Sequence, residues 1–116
     1  MQNTRIFKMP FATVYLLYIT KVESKGRTKE EVDQVIMWLT GYGAKQLQKQ
    51  IDDKVDFEEF FNQTPEMNPN VVLITGSICG VKIQEITDPL MKNIRYMDKL
   101  VDELAKGKSI EKILRK

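Results

Sequence analysis

Several groups of residues in this 116-residue chain have the types and spacing to do chemistry. Cys79 sits in the run Gly76-Ser77-Ile78-Cys79-Gly80. A cysteine or serine nucleophile needs a neighbouring base, or a helix N-terminus or cation to lower its pKa. The chain has no histidine, the commonest general base and neutral metal ligand. The run also lacks the pattern of a nucleophile elbow and of a phosphate-binding loop. Cys79 therefore reads as a buried structural thiol, and Ser77 meets the same objection. Asp98 and Asp102 stand four apart, which on a helix puts both carboxylates on one face, as an acid–base pair or a metal site needs. Without histidine, and with Lys106 four residues beyond Asp102, they read as a solvated face.

Residues 32–51 offer a binding chemistry instead. A helix, a Gly-containing turn and a second helix rich in Lys and Gln form the layout of a helix-turn-helix. There Gln pairs with adenine and Lys with guanine. Lys45 and Lys49, joined by the basic tail residues Lys112, Arg115 and Lys116, are the candidate nucleic-acid contacts. Asp52 and Asp53, directly after the reading helix, would repel phosphate, and an ordinary αα-corner carries the same pattern. A third chemistry is a small-ligand or enzyme pocket lined by Tyr15, Tyr18, Trp38 and Tyr42.

The elements that must position these residues are helices. The clearest runs over about 88–106 and is expected to be the longest and most central. Asp88 is a good N-cap, Pro89 suits the first helical position, and Gly107 is the left-handed stop. Leu90, Ile94, Met97, Val101 and Leu104 recur at three- and four-residue spacing and make one buried stripe. Tyr96 and Leu100 fall on a second, partly apolar flank, with Arg95 and Lys99 beside them. This flank needs a cover. Either the C-terminal residues Ile110, Ile113 and Leu114 fold back over it, or Arg95, Tyr96, Lys99 and Leu100 form an interaction surface, since Tyr and Arg favour interfaces.

Upstream, Pro10 opens a helix with Phe11, Val14, Tyr15, Leu17, Tyr18 and Val22 on one face. Leu16 and Ile19 make it apolar nearly all round, which predicts a central element. Thr28 and Glu31 are spaced as a capping box ahead of the stripe Val32, Val35, Ile36 and Leu39. Residues 44–51 form a short helix anchored by Leu47 and Ile51. Phe57, Phe60 and Phe61, after Asp56, read as a plug into the core. Asn68-Pro69 opens a further helix carrying Val71, Leu73, Ile74 and Ile78 and closed by Gly80, with Val81-Lys82-Ile83 extended. Ser109 starts a last short helix.

Composition agrees with this. Hydrophobic residues make up 42% of the chain, enough for a core without disulfides, and the single cysteine excludes an internal one. The net charge of +2 is uneven: residues 44–87 hold four Lys/Arg against seven Asp/Glu, and residues 88–116 hold eight against five. The apolar run from Phe11 to Ile19 is too short to span a bilayer and lacks a signal-peptide cleavage pattern. No membrane partner is expected, and the expected location is cytoplasmic.

The chain as a whole resembles an uncharacterised bacterial family, the domain of unknown function 2200. The runs that carry the resemblance include Arg5-Ile6-Phe7, Lys25-Gly26-Arg27-Thr28-Lys29, Trp38-Leu39-Thr40-Gly41-Tyr42, Asp56-Phe57-Glu58, Ile74-Thr75-Gly76 and Asp88-Pro89-Leu90-Met91. Similar members often carry proline where Leu16 stands, which would start the first helix there rather than at Phe11. The resemblance implies a small helical cytosolic protein and assigns no activity, cofactor or catalytic residue. The expectation is thus one all-α domain over 1–116, with five to seven helices and no cofactor. Its leading reading is a non-enzymatic interaction module that binds a protein partner or a second copy. The alternatives are nucleic-acid binding through 32–51 and the basic tail, and the small-ligand pocket.

Overall fold

The computed structural model describes residues 7–78 and 80–114. Among them are six α-helices: α1 (Phe11–Glu23), α2 (Lys29–Thr40), α3 (Ala44–Asp52), α4 (Phe57–Asn62), α5 (Pro89–Ala105) and α6 (Ile110–Ile113). Two short strands, β1 (Ser77–Ile78) and β2 (Val81–Lys82), pair antiparallel with Ser77 opposite Lys82. The reading of Cys79, and the tail residues Arg115 and Lys116, lie outside the described residues.

Helix α1 starts at Phe11, where the residue pattern places it, with Pro10 as its extended N-cap. Pro10 bridges Asp56, the Phe11 N–H donates to the Val55 carbonyl at 2.8 Å, and the Phe57 N–H donates to the Met9 carbonyl at 3.2 Å. These bonds tie the entry of α1 to the entry of α4 and set Phe11 on Phe60, stacked at 4.0 Å. The expected aromatic plug is there: Phe57 and Phe60 are fully buried and Phe61 half-buried.

Helix α2 opens on the capping box. The Glu31 N–H donates to the Thr28 hydroxyl at 3.2 Å, and the Thr28 N–H to a Glu31 carboxylate oxygen at 3.0 Å. Val32, Val35, Ile36 and Leu39 are all fully buried. Gly41 ends the helix at φ +78, and a Cβ there would lie 2.9 Å from the Glu66 carbonyl oxygen, so both backbone angle and space require glycine.

The segment 69–80 departs from the expected helix. One 3-10 turn, Pro69–Leu73, forms after Asn68, whose side chain accepts from the Asn70 N–H. The chain then leaves helical geometry at Ile74 and turns through Gly76 at φ +101. Branched residues and a left-handed glycine disfavour continued helix, so the residues pair as a hairpin instead. Val81 and Lys82 are extended, as read.

Helix α5, 17 residues long, is the axis of the molecule. The Met91 N–H donates to the Asp88 carboxylate at 2.9 Å. Ile94, Met97, Val101 and Leu104 are buried, and no residue from Leu90 to Ala105 is exposed. Helices α1, α2, α4 and α6, strand β1 and a 3-10 turn at Ile83–Glu85 all pack on it. The central element is therefore α5. That is the helix the sequence marks as longest and most central; α1, whose nearly all-round apolar character also suggested a central place, exposes 62% of Leu16 and 61% of Leu17.

Candidate functional site

The interaction surface expected on α5 is divided by the fold. Tyr96 is 6% exposed and Leu100 fully buried. The chain itself covers this flank of α5. Strand β1, the 3-10 turn Ile83–Glu85 and α6 all pack on α5, with Ile83 and Ile113 buried. Arg95 is half-buried and holds Asp98 at 2.9 Å, and the Lys99 ammonium donates to the Ser77 carbonyl at 3.3 Å. Tyr96 and Leu100 pack inside the molecule while Arg95 and Lys99 stay half-buried at its edge, so the four do not present one outer face.

Asp98 and Asp102 share a side of α5 but not a task. Asp98 accepts from the Tyr18 hydroxyl of α1 and from Arg95. Asp102 accepts from Lys21 of α1 at 3.3 Å and Lys106 at 3.1 Å. The successive contacts Tyr18–Asp98 and Lys21–Asp102 lay α1 and α5 side by side in the same direction. Burial opposes the charged form of Asp102; the bonds from Lys106 and Lys21 outweigh it and hold the carboxyl below its ordinary range. Among the described residues, no three acidic or sulfur groups converge on a site that could hold a metal.

The four aromatics expected to line one pocket do not. Tyr15, Tyr18 and Tyr42 are buried, and each spends its hydroxyl on the fold: on Asp33, on Asp98 and on the Phe60 carbonyl. The cavity beside Tyr15 is about 40 Å³, room for water and little more. Trp38 instead lines a separate groove with Pro65, Met67 and Pro69. Aromatic bodies with a polar tip pack well in a core once the tip is bonded, which is why their sequence signature does not separate core from pocket.

The Tyr15 hydroxyl bonds Asp33 at 2.5 Å, with Lys29 bonded to the same carboxylate at 2.8 Å. Burial, then this bond to a carboxylate, pushes the Tyr15 phenol up to about 12. A phenol whose pKa rises on folding favours its protonated form in the native state. Its contribution to stability is full below pH 10, the ordinary tyrosine value, and is lost as pH climbs from there to about 12. Ultraviolet titration should therefore show a late tyrosine that disappears in Tyr15→Phe. A Tyr15→Phe titration identical to the native one would refute the assignment.

The helix-turn-helix layout is present as α2, the turn at Gly41, and α3. On α3, Lys45 and Lys49 are exposed, but Lys49 pairs with Asp53 at 2.9 Å and Gln48 donates to Asp52 at 2.9 Å. Gln48 and Lys49 are thus engaged along their own helix, and the charges of the two aspartates offset those of the two lysines. Lys112 lies apart, on α6.

What the sequence reading missed is the outer face of α1. Thr13, Leu16, Leu17 and Thr20 are all exposed and carry no charge. The signal was present, since Leu16 makes that helix apolar on the side opposite Phe11. A second exposed apolar group, Val72, Leu73 and Val81, lies within the stretch Met67–Val81, which has no charged residue. Among the described residues, no helix is long and apolar enough to cross a membrane.

No curated protein matches the chain. The crystal structure of "uncharacterized protein SP1917" is 49% identical, covers 97% of this chain and 93% of its own, and superposes with a TM-score of 0.92. The family described as an uncharacterized protein conserved in bacteria (DUF2200) matches residues 5–115. With that match over nearly its whole length, and a helical fold shared at this level of identity, the chain belongs to the bacterial family DUF2200.

Proposed function

We propose that this protein is a non-enzymatic interaction module whose outer α1 face docks on an apolar surface of a protein partner or of a second copy. The observation that carries this reading is the pair Leu16 and Leu17, each more than 60% exposed, between Thr13 and Thr20 on one uncharged face. Single exposed leucines are ordinary, but two adjoining ones on a charge-free helix face are a patch. Taking them out of water is worth about 1–2 kcal/mol each. The inner face of the same helix needs no help from them. Phe11, Tyr15, Tyr18 and Val22 already anchor it, with two hydroxyls bonded to α2 and α5.

The double variant Leu16→Glu, Leu17→Glu tests this. Both side chains face solvent, so stability should change by less than about 1 kcal/mol. Sedimentation velocity over a concentration series should show self-association in the native protein that the variant loses. For a partner other than a second copy, a photo-crosslinker at position 17 in bacterial cells should capture a discrete species, which one at Lys45 does not. A native protein monomeric throughout, with identical crosslinks from both positions, would refute the reading.

A further inference from the structure

We infer that the cleft between the C-terminal half of α5 and α6 is a binding site for a phosphate-bearing ligand, distinct from the α1 face. The cleft measures about 590 Å³, within the size range of small-ligand sites. Four lysines line it, Lys99, Lys106, Lys108 and Lys112, with Asp102 and Glu103 as its acidic groups.

The charges in this cleft do not cancel. Lys106 is offset by Asp102, which also serves Lys21 of α1. Lys108 lies 3.6 Å from Glu103, itself only 6% exposed. Lys99 reaches a backbone carbonyl, that of Ser77, and no carboxylate. Among the described residues Lys112 has no ion pair. Two ammonium groups thus face one cleft uncompensated, matching the charge of a phosphate monoester dianion.

Lysine binds phosphate as a point charge, without the planar geometry of arginine, so the class of ligand is set by charge and size. Lys99 is also partly pre-positioned. It lies across Gly76, where a Cβ would come 3.5 Å from its nitrogen, and its head is held by the Ser77 carbonyl. Part of the entropy cost of ordering that side chain is thereby met before a ligand arrives. The phosphate could belong to a free small molecule or to the end of a nucleic acid strand.

The full chain titrated with inorganic pyrophosphate at low salt, followed by amide NMR, tests the site. Saturable shifts are expected around Lys99, Lys106, Lys108 and Lys112. Lys112→Glu and Lys99→Gln should each weaken binding about tenfold with the thermal melt unchanged. Lys45→Glu, a charge change on α3, should leave it intact. A second titration uses a short single-stranded oligonucleotide. Binding of the oligonucleotide with a steep logarithmic salt dependence, lost in Lys112→Glu, makes nucleic acid the source of the phosphate. Pyrophosphate binding without oligonucleotide binding makes the source a small molecule. Shifts that never saturate with either probe, or a loss equally large in Lys45→Glu, would overturn the proposal. Failure here leaves the α1 face untouched, since Leu16 and Leu17 take no part in this cleft.

Discussion

Phe60→Ala is expected to destabilise the protein by about 3–5 kcal/mol. Phe60 is fully buried and stands where three aromatic contacts meet. It stacks on Phe11 at 4.0 Å, tilts against Tyr42 at 5.0 Å and meets the edge of Phe61 at 5.1 Å. Truncation removes the transfer energy of the ring and leaves a cavity that α1 cannot close. The entry of α1 is pinned by backbone bonds from Phe11 to Val55 and from Phe57 to Met9. A domain of this size has a total stability of about 5–15 kcal/mol, so the variant should sit near the edge of folding. Thermal denaturation should show a midpoint lowered by roughly 10–20 °C. Phe61→Ala, at a half-buried position on the same helix, should cost clearly less. Equal losses for the two would mean that Phe60 is not the centre of the plug.

Arg27→Ala is expected to cost about 2–3 kcal/mol through a different mechanism. The guanidinium of Arg27 lies between α1 and α2 in sequence but ties α2 to α5 in space. Its Nη1 donates to the Leu104 carbonyl at 3.2 Å and the Lys108 carbonyl at 2.9 Å, capping the end of α5. Its Nε and Nη2 hold Glu31 at 3.1 and 2.7 Å. Removing it takes a charged donor from the Leu104 and Lys108 carbonyls and leaves the Glu31 carboxylate without its cation. Lysine should not restore the loss, because one ammonium cannot reproduce the fork that serves both sides. Urea unfolding of Arg27→Ala and Arg27→Lys measures this directly. A Lys variant as stable as the native protein would show that charge alone matters.

The same contact has a pH signature. The bond from Arg27, working against burial, lowers the Glu31 pKa on folding. A lowered carboxylate pKa contributes stability above its unfolded value, and the contribution is lost as pH falls through the folded one. Arg27→Ala should therefore flatten part of the acid limb of the stability curve.

How much of this was legible in the sequence depended on the range of the interaction. The capping box at Thr28 and Glu31, the stop at Gly41 and the cap of α5 at Asp88 are bonds within four residues, and all three form as the spacing predicts. The stripe Ile94, Met97, Val101 and Leu104 is equally local in its logic, because helical period alone puts those side chains on one face. The segment 69–80 misled because apolar, branched residues suit a short helix and a short strand alike. A glycine at φ +101 decided between them.

The candidate site was less legible, because exposure is a property of neighbours. Tyr96 and Leu16 look alike on a helical wheel, each an apolar residue away from the main stripe. The fold buries Tyr96 and leaves Leu16 open. Nothing local distinguishes them; the difference lies in which segments the chain lays across α5 and which side of α1 it leaves uncovered. By itself, the sequence determined helical class, the long helix, its caps and the aromatic plug, since those rest on local bonds and period. Only the tertiary structure decided that the outer face of α1 stays uncovered, that Arg27 ties α2 to the end of α5, and that four lysines share one cleft. Those outcomes rest on contacts between residues as far apart as Arg27 and Lys108, which no spacing along the chain encodes.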